Sequence, residues 1–137
     1  MKLFISEAGS DKMVQFASAE DDRNKVVSAL AQVEARSAIC RLRQGKALTA
    51  DDARLALDAL DAEMKRVIEQ PVLPLVLESA NTLVERHYLR ALDAVQLACA
   101  IVARDSLSAS IMRFIAADNG LLEAAKQEGF EIWNPCA

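Results

Sequence analysis

Three acidic residues of this chain stand where an ionised carboxylate is costly or chemically suggestive. Glu34 lies in an alanine-rich segment just after a short β-branched run, Asp93 has apolar neighbours on nearly every side, and Asp118 follows a strongly apolar run. A carboxylate inside a packed helix costs several kcal/mol unless it is paired, hydrogen-bonded or bound to a metal. Clustered carboxylates repel one another, and a divalent cation relieves that repulsion. Oxygen ligands suit Mg²⁺ or Mn²⁺, which commonly act on phosphodiesters.

Each of these acids also has a structural alternative. Asp118 would cap the helix that follows it. The other two acids would form ion pairs with nearby arginines: Glu34 with Arg36 or Arg41, and Asp93 with Arg90. Taken singly, each alternative is at least as good as a functional role. Two acids that follow parallel strands and a third on a neighbouring helix can nevertheless converge at one edge of a sheet, and together they are harder to explain structurally.

The hydrophobic pattern alternates between strands and helices. The predicted strands cover Lys25–Ser28, Val72–Leu75, Ile111–Ala116 and Phe130–Trp133, while Met1–Ile5 is only a short apolar opening. The predicted helices cover Asp11–Ala19 (weakly), Leu30–Gln44, a stretch from the cap Thr49 to Pro71, Val76–His87, Arg90–Arg104 and Asn119–Gln127. This alternation indicates a helix-rich α/β domain with a mostly parallel sheet, and such sheets place their sites at the carboxyl ends of the strands.

Composition and charge narrow the class of protein. A chain of 137 residues, 53% hydrophobic and 26% charged, is long enough for one domain and one core. The formal net charge of −4 excludes nucleic-acid binding by bulk attraction, although Arg36, Arg41, Arg43 and Lys46 could supply local positive charge. For most of these a solvated helix face is the commoner explanation. The N-terminus is too short and polar for a secretory signal and no apolar run is long enough to cross a bilayer, so we expect a soluble, cytoplasmic protein without membrane contact.

The cysteines and the single histidine exclude other kinds of site. The three cysteines show no C-x-x-C spacing, which argues against a zinc site or a disulfide framework. Cys40 and Cys99 fall in apolar helical patterns and are predicted core residues, and Cys136 an exposed tail thiol. One histidine, His87, excludes a multi-histidine metal site, and its position favours a helix end over a general base. Carboxylates must therefore carry the chemistry.

Four segments of the sequence resemble the PIN domain family, and in particular the VapC-type toxin ribonucleases of bacterial toxin–antitoxin pairs. The resemblance runs over nearly the whole chain, and its segments are Val27–Glu34, Leu89–Ala98, Phe114–Asp118 and Ile132–Pro135. The run Leu-Arg-Ala-Leu-Asp-Ala, which contains Asp93, is the most specific of them.

This resemblance implies a single PIN-like domain over residues 1–137 with a three-layer, doubly wound α/β/α architecture. By motif position, Glu34, Asp93 and Asp118 would be catalytic acids that coordinate Mg²⁺ or Mn²⁺. The implied activity is a metal-dependent endoribonuclease that hydrolyses RNA phosphodiesters, and the implied partners are RNA and a cognate antitoxin protein.

The beginning of the chain departs from the family pattern. Members start with a strand that ends in an Asp, followed within two residues by Ser or Thr, and then a segment resembling Lys2–Ser10. We therefore expect the central first strand and its catalytic Asp to be missing; Asp11 lies past a Gly-Ser turn and does not replace it. Loss of a central strand would expose two sheet edges and favour pairing with a second copy, so a homodimer is expected.

Two other functions stay open at this point. A PIN-like domain without activity would serve as a module that binds an antitoxin or a second copy, because a cluster of unpaired acids is a receptor for an arginine. A receiver-like domain that uses acids for Mg²⁺ and phosphoryl transfer ranks lower, since no acid pair follows its first strand.

Overall fold

The computed structural model describes residues 2–6, 25–108 and 112–135. The strands are β1 (Lys2–Ile5), β2 (Lys25–Ser28), β3 (Ile68–Gln70), β4 (Met112–Ile115) and β5 (Glu131–Trp133). The helices are α1 (Ala29–Gln44), α2 (Ala50–Met64), α3 (Pro74–His87), α4 (Ala91–Ser106) and α5 (Asn119–Gln127). The predicted helix Asp11–Ala19, the Gly-Ser turn, Asp11 and Cys136 lie outside the described residues. No helix in the described ranges is long and apolar enough to span a membrane.

The strands form one parallel sheet in the order β3-β2-β1-β4-β5. Phe4 of β1 lies opposite Val26 of β2 on one side and Phe114 of β4 on the other. The predicted helix-rich α/β fold with a parallel sheet is thus confirmed. Parallel neighbours require crossover connections, and the helices supply the connections that the structure describes.

The expectation of a missing central strand is wrong. Lys2–Ile5 is only four residues long, but it pairs on both sides and occupies the middle of the sheet. The first strand of the family pattern is therefore present, whereas its terminal Asp is not, because Ser6 follows the strand. The edges of the sheet are the short strands β3 and β5, so the argument for a dimer from two exposed central edges no longer applies.

Helices cover both faces of the sheet. On one face, Phe4 stacks on Phe114 with ring centroids 5.4 Å apart, and Phe130 packs against Phe114 at 5.8 Å. Apolar side chains of α3, α4 and α5 complete this core. On the other face, Leu3 and Ile5 pack with Ala31 of α1 and Met64 of α2. Alternation along β1 sends successive side chains into the two cores, which gives the three-layer arrangement.

Two local predictions need correction. The strand expected at Val72–Leu75 lies earlier, at Ile68–Gln70, because α2 already ends at Met64 and α3 begins at Pro74. Proline is favoured in the first turn of a helix, where its missing N–H is not needed. Cys40 is exposed, as are most side chains in the second half of α1, while Cys99 is buried as predicted and burial raises the pKa of its thiol.

A partly buried carboxylate joins the ends of three helices. Glu128, which follows α5, accepts a hydrogen bond from Arg86 at 2.7 Å, and its Oε2 lies 2.7 Å from Nε2 of His87. Its backbone carbonyl accepts a bond from Arg104 of α4. Burial disfavours the charged form of Glu128, but the hydrogen bonds and charges of His87 and Arg86 outweigh it and lower the pKa of the carboxyl. His87 thus serves a helix end, as predicted.

Replacing Glu128 with Gln should reduce the free energy of unfolding at pH 7 by about 1–2 kcal/mol, because two hydrogen bonds from cationic groups weaken. A carboxyl with a lowered folded pKa stabilises the protein above its usual pKa of 4.5, and this contribution is lost as the pH falls through the folded pKa. Urea unfolding from pH 3 to pH 7 should therefore show the two proteins converging at low pH. Glu123→Gln, an exposed glutamate of α5, is the control, and a pH-independent difference for Glu128→Gln would contradict the assignment.

Candidate acidic active site

The order of the strands defines where a site can form. From β1 the chain moves outward through β2 and β3, then crosses back to the other side of β1 for β4 and β5. The direction of winding reverses between β1 and β4, and a crevice at the carboxyl ends of such strands is the usual place for a ligand. Ser6 follows β1 and Asp118 follows β4, so both lie at this edge.

Asp118 begins the helix that leaves this edge. Its Oδ1 accepts a hydrogen bond from the backbone N–H of Leu121 at 2.9 Å, so the structural alternative of a helix cap is realised. The cap uses one carboxylate oxygen, and Oδ2 accepts no hydrogen bond from the described residues. Capping and ligand binding are therefore compatible at Asp118.

Asp93 lies in the first turn of α4, close to Asp118. Partial burial raises the pKa of Asp93, the negative charge of Asp118 raises it further, and the positive charge of Arg90 offsets part of the effect. Asp93 and Arg90 therefore attract each other, as predicted, but this attraction does not offset the effects of burial and of Asp118 on the pKa of Asp93. Asp118 is thus close enough to disfavour ionisation of Asp93, and such a pair of carboxylates is a feature of functional sites more often than of packed cores.

Glu34 reaches the same helix through an amide. Its Oε1 accepts a hydrogen bond from Nε2 of Gln96 at 2.7 Å, rather than an ion pair with Arg36 or Arg41. Arg36 instead pairs with Asp61 of α2. Gln96 is buried and lies three residues after Asp93, so both project from the same side of α4. Glu34 is thereby tied to the helix that carries Asp93, with its second oxygen unbonded among the described residues.

Ser6 closes the centre of the site with a neutral side chain. Its N–H and its hydroxyl both donate to the carbonyl of Ile115, at 3.1 and 3.2 Å. Ser6 is buried, so it fastens the end of β1 to the end of β4 beside Asp118. Sequence reasoning missed Ser6, because the strand before it had not been recognised. It also missed Gln96, for which the spacing of three residues from Asp93 was the available signal.

The described residues offer a divalent cation two neighbouring carboxylates and no group of three. Among residues 2–6, 25–108 and 112–135, no three His, Cys, Asp or Glu side chains approach closely enough to hold one metal ion. Mg²⁺ usually keeps several waters and binds through one or two carboxylates plus substrate phosphates. Asp93 and Asp118 meet that minimum. That all three acids coordinate metal stays a prediction.

Solved structures share this arrangement of strands and helices. PAE2754 from Pyrobaculum aerophilum, a PIN-domain-type protein, matches 98% of this chain and 90% of its own with a TM-score of 0.67 at 16% identity. The chain has the PIN fold. FitAcB from Neisseria gonorrhoeae, which contains the PIN toxin FitB, matches 97% of this chain and 98% of its own, with a TM-score of 0.64 at 14% identity. A toxin–antitoxin complex from Klebsiella pneumoniae matches 86% of this chain and 87% of its own chain, with a TM-score of 0.54 at 17% identity.

The match is one of architecture. No protein-family model matches the chain, and no curated protein shows significant sequence similarity to it. The PIN fold expected from the sequence is confirmed, and within it Asp93 and Asp118 are near enough for the charge of one to act on the other. Their role as site residues stays a prediction.

Proposed function

We propose that this chain is the toxin of a cytoplasmic toxin–antitoxin pair and that it hydrolyses RNA with the help of Mg²⁺ or Mn²⁺. The observation that carries the proposal is the approach of Asp93 to Asp118 at the crossover of a PIN sheet, close enough for one charge to act on the other. The likeness of the fold to solved toxin–antitoxin proteins supports the biological role.

Each residue of the site has a separate role in the proposed hydrolysis. Asp93 and Asp118 would hold the cation, which when bound polarises a phosphoryl oxygen and lowers the pKa of a water molecule. Gln96 fixes Glu34 through one oxygen, and the free oxygen of Glu34 can accept a proton from the attacking water. Ser6 keeps the ends of β1 and β4 together.

The direct test is cleavage of a mixed RNA pool by the purified chain with Mn²⁺, with Mg²⁺, and with excess chelator. We expect fragments in the presence of either metal and intact RNA with chelator. Isothermal titration of Mn²⁺ into the same protein gives an independent readout. Cleavage that persists in chelator, or micromolar Mn²⁺ binding that Asp93→Asn leaves unchanged, would contradict the proposed mechanism.

The neutral Ser6 favours a second candidate function, in which the chain binds an antitoxin or a second copy without cleaving RNA. With Ser6 at the centre, the described part of the site offers two adjoining carboxylates, which suit a planar guanidinium from a partner. Millimolar Mn²⁺ affinity together with intact RNA would favour this module over the nuclease.

We also propose a homodimer, now because of exposed apolar side chains and no longer because of exposed strand edges. The start of α3 exposes Leu73, Leu75 and Leu77, an apolar group that a second copy would cover. Light scattering on the purified chain tests this, and a monodisperse monomer at micromolar concentration contradicts it.

A further inference from the structure

The turn between α1 and α2 is basic in an acidic protein. Residues 35–50 contain no Asp or Glu, although the whole chain has a net charge of −4. Within this stretch Arg41, Arg43 and Lys46 lie at the end of α1 and in the turn that follows. The nearest acids beyond it, Asp51 and Asp52, occupy the first turn of α2, where they complement the positive end of that helix.

These three cations are exposed and unpaired within the described part of the chain. The neighbouring arginines of the same hairpin are engaged, Arg36 with Asp61 and Arg54 with Asp58. Arg41, Arg43 and Lys46 have neither an ion pair nor a side-chain hydrogen bond to any described residue. We call these three residues the basic tip.

The backbone already satisfies the end of α1 without these side chains. The N–H groups of Gly45 and Lys46 donate to the carbonyls of Arg41 and Arg43 at 2.9 and 3.1 Å, and Ala47 donates to Leu42 at 2.9 Å. Lys46 adopts the left-handed conformation, with φ of 64°, that closes the turn. The basic side chains are not needed as hydrogen-bond caps, and the turn that presents them is held in place.

The basic tip shares a helix with Glu34, one of the three predicted site acids. Arg41 follows Glu34 by seven residues, almost two full turns of α1, so it lies on the same side of the helix about 10 Å further along the axis. Arg43 and Lys46 lie beyond it, at the end of the helix and in the turn. A few nucleotides of single-stranded RNA cover such a distance, and a basic surface that tracks the backbone is the usual way to hold a single strand. Arginine suits this task because its planar guanidinium can bind a phosphate through two donors.

We propose that the basic tip binds backbone phosphates of a single-stranded RNA whose adjoining segment lies at Asp93 and Asp118. This rests on the proposed ribonuclease function for the identity of the ligand. Binding at the basic tip places part of the RNA strand along α1, away from Asp93 and Asp118. It also explains how a protein with a net charge of −4 can bind a polyanion, because the positive charge is concentrated locally.

Fluorescence anisotropy with a labelled, unstructured single-stranded RNA tests the proposal without relying on cleavage. The measurements are made in chelator across a salt series, on the wild type and on the triple variant Arg41→Gln, Arg43→Gln and Lys46→Gln. The matched control removes three positive charges elsewhere, by Arg54→Gln, Lys65→Gln and Lys126→Gln. We expect the tip variant to bind about tenfold more weakly or worse, and its slope of log K against log salt to fall by about 2, since each phosphate contact on a single strand contributes about 0.7.

Three results would overturn the basic tip as an RNA site. These are equal weakening by both triple variants, unchanged binding by the tip variant, and absence of RNA binding by the wild type at low salt. Stronger binding of duplex DNA of the same length would overturn the choice of RNA. If the tip variant loses RNA binding while the wild type never cleaves RNA, the nuclease proposal fails and the basic tip remains an RNA site. If the tip variant binds and cleaves RNA like the wild type, the basic tip fails as an RNA site and the nuclease proposal remains.

Discussion

Asp93→Asn should lower metal-dependent RNA cleavage at least about a hundredfold while leaving the protein as stable as the wild type at pH 7, or more stable. A ligand to the cation is lost, and metal assistance supplies several kcal/mol of transition-state stabilisation. Stability does not suffer, because burial and the charge of Asp118 make the ionised Asp93 unfavourable in the folded protein. The measurements are the initial rate of cleavage in Mn²⁺ and the thermal midpoint of each protein.

The pH dependence gives this prediction a definite sign. A carboxyl whose folded pKa is raised is most favourable to folding at low pH, and its contribution falls as the pH rises from the usual 3.8 through the folded value. The stability advantage of Asp93→Asn should therefore be absent near pH 3 and reach its full size above the raised pKa. Asp105→Asn, an exposed acid about 18 Å further along α4, is the control and should change neither rate nor stability. A large loss of stability in Asp93→Asn with unchanged Mn²⁺ binding would identify a structural buried pair instead.

Phe4→Ala should destabilise the protein by about 3–5 kcal/mol, a large part of the roughly 5–15 kcal/mol that holds a domain folded. Phe4 is fully buried in the central strand and stacks on Phe114, so its removal leaves a cavity that neighbours on both sides cannot close. Chemical denaturation gives the free energy of unfolding for the comparison. If Phe4→Ala fails to fold, Phe4→Leu, which keeps most of the apolar volume, should fold with a smaller loss.

This substitution tests the position of β1 directly. If the chain lacked its central strand, a residue so near the N-terminus would contribute little, and Phe4→Ala would be close to neutral. Val33→Ala provides the comparison, because Val33 is an apolar residue of α1 that is 63% exposed, and its replacement should cost less than about 0.5 kcal/mol. Equal effects of the two substitutions would contradict a central Lys2–Ile5.

The sequence by itself determined the class of fold and the presence of the five described helices. The cap residue Asp118 and Gly129, two residues after Gln127, mark the ends of α5, and the predicted range Asn119–Gln127 is the observed one. The predicted helix Leu30–Gln44 differs from α1 by one residue. Helix periodicity and caps are local signals, which is why they can be identified without tertiary contacts. The three acids were also identifiable, since a carboxylate among apolar neighbours stands out in the sequence.

Only the tertiary structure decided which strand is central and which acids approach one another. β1 has four residues and no helical or turn pattern of its own, and its pairing joins Lys2 to Met112, a contact between residues 110 positions apart. Parallel pairing of this range leaves no local trace in the sequence, because the free energy of the strand comes from the neighbours it packs between. For the same reason the partner of Glu34 was Gln96 on a distant helix and not the arginines nearby in sequence, whereas Asp118 approaches Asp93 only once β4 lies beside β1.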